Sequence, residues 1–156
     1  MKVLNEFEKQ INQIEEALDS WIEKWGLGYN HFAVLYSLAS AEQGQCTQKQ
    51  ICDEWYLPKQ TVFNICKAYK EKGWIEFYES PTDKRERLMR LTEQGKPHVL
   101  PIYHASEQLS ERVFTKFGKK KTAQLFALLS ELGELYREQI AETEVDSISE
   151  AQNQPN

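Results

Sequence analysis

The feature that most constrains this chain is a change of apolar spacing at Gly73. Before it, Val62, Ile65, Cys66 and Tyr69 recur three and four apart, the spacing of a helix with one buried face. After it, in WIEFYES, Ile75 and Phe77 alternate with Glu76 and Tyr78, the two-residue period of a half-buried strand. Turn and cap residues delimit both segments. Thr47 can cap a short helix, QKQICDEW, by satisfying free amides of its first turn. Leu57-Pro58 ends that helix, and Pro58 suits the first turn of the next, where its missing N–H is not needed. Ser80-Pro81 fits the first two positions of a type I turn; a return strand over about Leu88 to Leu91 pairs back, and Thr92 then caps a long helix. The order from Thr47 to Thr92 is therefore helix, turn, helix, strand, charged hairpin tip, strand.

Helices flank this segment on both sides. Leu4, Phe7, Ile11, Ile14, Leu18, Trp21 and Trp25 are spaced three and four apart, a narrow coiled-coil-like seam that ends at Gly26 and looks for a partner. A second helix opens at Tyr29-Asn30 and ends before Gly44. Downstream, residues 93–117 and 119–141 read as two helices divided at Gly118, the last with a broad face of Leu125, Leu128, Leu129, Leu132, Leu135 and Tyr136. Pro97 and Pro101 predict a kink or a late start in the first of these, because each removes a backbone donor. One domain over residues 1–142 follows, with helical parts at about 1–28 and 97–142 and the mixed segment at about 29–96. The polar, acidic residues 143–156 read as a disordered tail. The expected class is mainly α with a small two- to three-stranded β-wing.

Charge is distributed unevenly. The 156-residue chain has net charge −5, yet residues 47–96 carry ten Lys and Arg against eight Asp and Glu, and Lys84, Arg85, Arg87 and Arg90 fall within seven residues. The middle is the part that tolerates an anion. No run is apolar for the roughly 18 residues a membrane helix needs, and the start MKVLNEFEKQ is too charged for a signal peptide, so a cytoplasmic protein without membrane contact is expected. Three cysteines, Cys46, Cys52 and Cys66, match no metal or disulfide spacing.

The element order is a winged helix-turn-helix plan, in which the second helix lies in the major groove of DNA and the hairpin reaches the adjacent backbone or minor groove. On that plan Lys59, Gln60, Thr61, Asn64 and Lys67 fall on or beside one exposed helix face. Gln and Asn can read adenine, while Lys and Thr can hold phosphates or read a base edge. Thr47 joins this contact set from the preceding helix, and Lys84, Arg85 and Arg87 join it from the hairpin. Arg87 and Arg90, on the return strand, could instead pair with the carboxylates of Glu76 and Glu79 opposite, with no partner assigned to either; pairing is favoured for Arg90, and Arg87 is left open.

TQKQICDEWYLPKQTVFNICKAYKEKGWIEF, followed by TDKRERLMRLTEQGK, resembles the MarR family of bacterial transcriptional regulators. The resemblance rests on the Pro-Lys-Gln-Thr-Val opening of the second helix, the Lys-Gly-Trp-Ile exit into the strand, and Asp83-x-Arg85 ending in Leu91-Thr92-x-x-Gly95, over about residues 29–96. It implies a homodimer built from the first and last two helices, and a repressor more often than an activator. It also implies that Arg85 lies at the wing tip in or near the minor groove of a double-stranded operator, with Asp83 orienting it. Similar proteins hold a small aromatic or amphipathic effector between helices, which here points to Trp25, Tyr29, Tyr36, Ile102 and Tyr103. Two features depart from the family pattern: Lys119-Lys120-Lys121 opens the last helix where acidic residues are usual, and Phe63 is bulky where many relatives carry a small polar residue.

Other chemistry finds little support. No Ser/His/Asp, Cys/His or Gly-rich phosphate-loop pattern is visible, so neither an enzyme nor a cofactor is expected. His98 and His104 are six apart and do not share a helix face, so no metal site is expected, and Cys52 and Cys66 fall at apolar helix positions where inert thiols are usual. The alternative from another class is a winged helix that binds protein in place of DNA, with Phe63 as its exposed anchor.

Overall fold

The computed structural model describes the backbone of residues 2–152 and the side chains of residues 2–143. The elements are α1 (Val3–Glu23), α2 (Tyr29–Ser40), α3 (Gln48–Trp55), α4 (Lys59–Glu71), β1 (Ile75–Glu79), β2 (Arg87–Leu91), α5 (Lys96–Phe117) and α6 (Lys119–Gln152). A short 3-10 turn, Glu42–Gly44, follows α2. The fold is a mainly helical winged helix-turn-helix with a two-stranded antiparallel sheet, to which Cys46 adds a single bridge at Met89. The chain divides into two compact units, Met1–Glu107 and Gln108–Asn156, and each is described by itself.

In the first unit α2 is the central helix, burying Ala33, Val34, Leu35, Ser37 and Leu38. Ile51 of α3, Val62, Ile65, Cys66 and Tyr69 of α4, Ile75, Met89 and Leu91 of the hairpin, and Val99 of α5 complete one core with it. Full burial of an aliphatic side chain of this kind is worth about 1.5–3 kcal/mol. The α4 positions in that core are the four whose spacing predicts it. Helix α1 is anchored on Ile22, which is buried, whereas Leu4, Ile14 and Leu18 of its seam stay exposed within a single chain.

The helix-turn-helix is set by local chemistry. Thr47 and Gln50 form a reciprocal capping box: the Gln50 amide donates to Thr47 Oγ1 at 3.1 Å and the Thr47 amide to Gln50 Oε1 at 2.8 Å. Helix α3 ends with Tyr56 in the left-handed region, at φ 52°. Pro58 stands one position earlier than expected, as the N-cap of α4 with extended backbone and not in its first turn. Strands β1 and β2 pair in the register Ile75↔Leu91, Phe77↔Met89 and Glu79↔Arg87.

Two sequence expectations, the Thr92 cap and the end of the last helix, are corrected, and the late start read at Pro97 is found. Thr92 does not cap α5 directly: its hydroxyl donates to the Gly73 carbonyl at 2.5 Å and accepts from the Gly95 amide at 3.0 Å, closing a turn ahead of a helix that starts at Lys96. The late start puts Pro97 in the first turn of α5, where its missing donor is tolerated, and leaves Pro101 inside the helix. At the other end α6 runs through Gln152, past the Ala141 end read from the sequence. Residues 134–152 contain neither Gly nor Pro and are rich in Glu, Gln and Ala, so backbone propensity carries the helix into a stretch whose polarity reads as a tail. The remaining four tail residues, 153–156, lie outside the described residues.

In the second unit Gly118, at φ 102°, separates α5 from α6, and Phe114 packs edge-on against Phe126 with ring centroids 5.4 Å apart. The first turn of α6 carries Lys119, Lys120 and Lys121 with no acidic residue, as the sequence reads. No described side chain of this unit is buried. No helix among the described residues is long and apolar enough to cross a membrane.

Candidate nucleic-acid interface

Helix α4 turns Val62, Ile65, Cys66 and Tyr69 inward, so Lys59, Gln60, Phe63, Asn64 and Lys67 face out and Thr61 is half-buried at their edge. Gln60 Nε2 donates to Asn64 Oδ1 at 2.9 Å. This bond joins two exposed amides one turn apart and leaves the Gln60 carbonyl as an acceptor and the Asn64 NH₂ as a donor with no partner among the described residues.

The hairpin tip, residues 80–86, is held by its own hydrogen bonds. Ser80 is buried; its Oγ accepts from the amides of Thr82 and Asp83, both at 3.3 Å, and its amide donates to the Glu86 carbonyl at 3.1 Å. Asp83 Oδ1 accepts from the Arg85 amide at 2.9 Å. Asp83 therefore acts on Arg85 through the backbone, shaping the turn while the guanidinium stays outside that bond. Lys84, Arg85 and Arg87 are exposed and have no ion pair among the described residues. Arg90, by contrast, pairs with Glu76 at 2.5 Å, the assignment favoured from the sequence. The open question at Arg87 resolves differently: its guanidinium lies 5.8 Å from the centroid of Phe77, over the ring, with Lys70 Nζ 5.3 Å from the same centroid. Phe77 thus has two cations over its ring.

Between α4 and the hairpin runs an open groove of about 670 Å³. Thr47, Gln48 and Lys49 line it from α3 and its cap, Phe63, Lys67 and Lys70 from α4, and Phe77, Asp83, Arg85, Glu86 and Arg87 from the hairpin. Of the residues singled out in the sequence it collects Thr47, Lys67, Asp83, Arg85 and Arg87. Lys59, Gln60, Thr61, Asn64 and Lys84 lie outside it. Thr47 is only 6% exposed and its hydroxyl is taken up by the capping box. Gln48, Lys49, Phe63, Phe77 and Glu86 line the groove although the sequence reading did not assign them to DNA. Phe63 carried a signal, since it stands three residues after Gln60 on the same helix face.

The five residues read as an effector pocket do not come together as one set. Tyr36 packs on Tyr103, with centroids 5.2 Å apart, and edge-on to Trp55 at 5.7 Å, and Tyr29 meets the same Trp55 at 6.0 Å. Trp25 instead packs against Trp21. Ile102 is buried, its carbonyl accepting from Ser106 Oγ, which in turn accepts from Trp21 Nε1. Trp55 is the member the sequence reading missed, and its indole N–H is buried without a partner among the described residues. Burial, with a hydrogen bond to the Glu107 carboxylate and that group's charge, pushes the Tyr36 phenol well above its ordinary range, so Tyr36 stays a neutral donor.

His31 and His98 are exposed but meet aromatic side chains, whereas the Cys46 and Cys66 thiols are buried. His31 Nδ1 is 2.9 Å from the Tyr69 hydroxyl, and His98 stacks on Trp74 at 4.5 Å. Burial pushes the Cys46 thiol up to about 11, with the Glu54 charge adding to it, and the Cys66 thiol up to about 12. Neither forms appreciable thiolate near neutral pH. In the native protein at pH 8, Cys46 should react with iodoacetamide about a hundredfold and Cys66 about a thousandfold more slowly than in the unfolded chain, from thiolate fraction alone. Peptide mass spectrometry reads the rates, and native labelling of Cys66 at the unfolded rate would contradict its burial.

This geometry has known counterparts. A family model described as MarR family matches residues 25–86, from the end of α1 to the hairpin tip. The solved structure of NMB1585, a MarR family regulator from Neisseria meningitidis, is 43% identical, superposes with a TM-score of 0.82, and covers 92% of this chain and 99% of that one. The chain belongs to the MarR family of transcriptional regulators. Among curated relatives, the HTH-type transcriptional regulator Hpr of Bacillus licheniformis is 25% identical over 122 residues, 78% of this chain and 57% of Hpr, so the chain spans little more than half of that relative. A variant of MarR from E. coli, complexed with operator DNA, superposes with a TM-score of 0.62 over 85% of this chain and 99% of that one. At 19% identity that likeness is one of fold.

Proposed function

We propose that this MarR family protein binds double-stranded DNA as a homodimer and recognises a pseudo-palindromic operator, with α4 in the major groove and the wing tip at the adjacent minor groove. The observation that carries the reading is the set of cations without carboxylate partners, Lys67, Arg85 and Arg87, lining one groove beside the hydrogen-bonded Gln60–Asn64 pair. In an acidic chain only the docking face needs cations, because phosphate neutralisation is local. The MarR complex with operator DNA supports the same use of the fold. Exposed apolar faces on α1 and α6 support self-association, and two recognition helices on one side of a duplex need half-site centres about 10–10.5 bp apart. Repression is the sign we propose, since a dimer seated on an operator excludes other proteins from that duplex. A small aromatic or amphipathic effector would act at the cluster of Tyr29, Tyr36, Trp55 and Tyr103, where the buried Trp55 N–H offers an unused donor. It would shift DNA affinity only by its differential affinity for two spacings of the recognition helices.

Selection of bound sequences from random duplexes by the purified protein tests the reading. An enriched palindrome is the expected result, and the absence of any enriched sequence would sink it. On the selected operator, Arg85→Ala should cost about 1–3 kcal/mol of binding and lower the salt slope by about one contact, because a guanidinium at a stiff tip suits a narrow A·T-rich minor groove. Its melting temperature should match wild type, since the side chain is exposed and outside every ion pair described. A protein-binding module anchored on Phe63 would instead associate with a partner almost independently of salt between about 50 and 200 mM.

A further inference from the structure

We propose that Phe63 reads the 5-methyl group of a thymine in the major groove, an assignment that rests on the DNA-binding reading above and adds a determinant to it. Phe63 is 49% exposed on a helix that buries four other side chains, so its ring is not placed to fill the core. It follows Lys59 by four residues and Gln60 by three, and it precedes Lys67 by four, so it shares the face those groups present, with the exposed Asn64 next along the chain. It also lines the groove, with Lys67 on its own wall and Arg85 and Arg87 on the hairpin wall.

Those neighbours decide what the ring can meet. An apolar protein pocket closing over Phe63 would have to desolvate cations that lack carboxylate partners, which is costly unless each finds an opposite charge. A DNA duplex supplies phosphates for the cations and one apolar group on its major-groove edge, the thymine methyl. The Gln60–Asn64 pair beside the ring is suited to adenine, whose N6 and N7 stand on the same base pair as a thymine methyl. Amides and ring together therefore fit an A·T pair, or two neighbouring ones, with hydrogen bonds on the adenine and an apolar contact on the thymine.

The test uses the full-length protein and its selected operator, with each thymine of the half-site replaced in turn by deoxyuridine. That change removes the methyl group and leaves every hydrogen-bonding edge intact. Wild type should bind about fourfold more weakly at one thymine per half-site, the loss expected for one buried methyl-sized group, and equally well at the others. Phe63→Ala should bind the thymine and uracil duplexes alike. If no duplex is selected at all, the DNA-binding reading fails and this inference with it. If an operator is selected but the uracil scan is flat in wild type, or the penalty persists in Phe63→Ala, DNA binding stands and the role of Phe63 is overturned. The scan on the unaltered protein needs no variant to fold.

Discussion

Leu128→Glu combined with Leu135→Glu should convert the protein to a folded monomer at micromolar concentration and lower its operator affinity by about 10²–10⁴. The two leucines stand seven residues apart on α6, two turns along one stripe, and are 64% and 48% exposed in the single chain. Nothing in the fold of one chain depends on them. Yet Phe114, Phe117, Phe126, Leu129, Leu132 and Ile140 of the same unit are also largely exposed, and a helical pair with no buried side chain has little reason to persist in water alone. A second copy burying this face gives each large side chain about 1.5–3 kcal/mol that the monomer lacks. Two carboxylates in the middle of such an interface would each need a partner there, which a leucine-rich face does not offer. The loss of DNA affinity follows from geometry, because the second half-site then has to be found from bulk solution. Sedimentation and binding isotherms read both effects; a variant that stays dimeric, or a monomer that binds like wild type, would place the interface elsewhere.

The parts of this protein that could be read from sequence are those fixed by neighbours in the chain. Thr47 and Gln50 are three apart, so the start of α3 is written in a single tetrapeptide, and Val62, Ile65, Cys66 and Tyr69 announce the buried face of α4 by spacing alone. The alternation of Ile75 and Phe77 and the turn at Ser80-Pro81 give the hairpin in the same way. What escaped depends on partners far along the chain. Trp55 enters the aromatic cluster only because α2 brings Tyr29 and Tyr36 to it, and Tyr36 meets Glu107 across 71 residues. Ile22, not a seam residue, is the buried side chain of α1, while Leu4, Ile14 and Leu18 of the seam stay exposed and Trp21 reaches Ser106, 85 residues on. At the interface the polar residues were legible by type, whereas Phe63 read as an oddity. Its meaning comes from the cations that the hairpin places on the far wall of the groove.

Gly95→Ala should lower the melting temperature by roughly 6–12 °C, the equivalent of about 3 kcal/mol in a protein of this size. A Cβ on Gly95 would lie 2.1 Å from the Trp74 carbonyl oxygen and 2.7 Å from its carbonyl carbon, so backbone and not a flexible side chain must yield. That carbonyl already accepts the Thr92 amide at 2.9 Å, while Thr92 holds the Gly73 carbonyl through its hydroxyl and the Gly95 amide through both its oxygens. Moving Gly95 away therefore pulls Thr92 from the base of the wing, next to the Ile75↔Leu91 pair, and disturbs the Gly95 carbonyl that receives the first amides of α5. The Leu-Thr-x-x-Gly pattern is in this sense a clamp between wing and α5, and only its last position must lack a side chain. Gly28→Ala is the control: nothing lies within 4 Å of its added Cβ, and it should cost less than about 1 kcal/mol. Thermal melts of the two variants decide the matter, and a Gly95→Ala protein that melts with wild type would refute the close approach. Binding data separate this effect from loss of a DNA contact. The folded fraction of Gly95→Ala keeps every cation of the interface and hence the wild-type salt slope, whereas Arg85→Ala stays folded and loses about one unit of it.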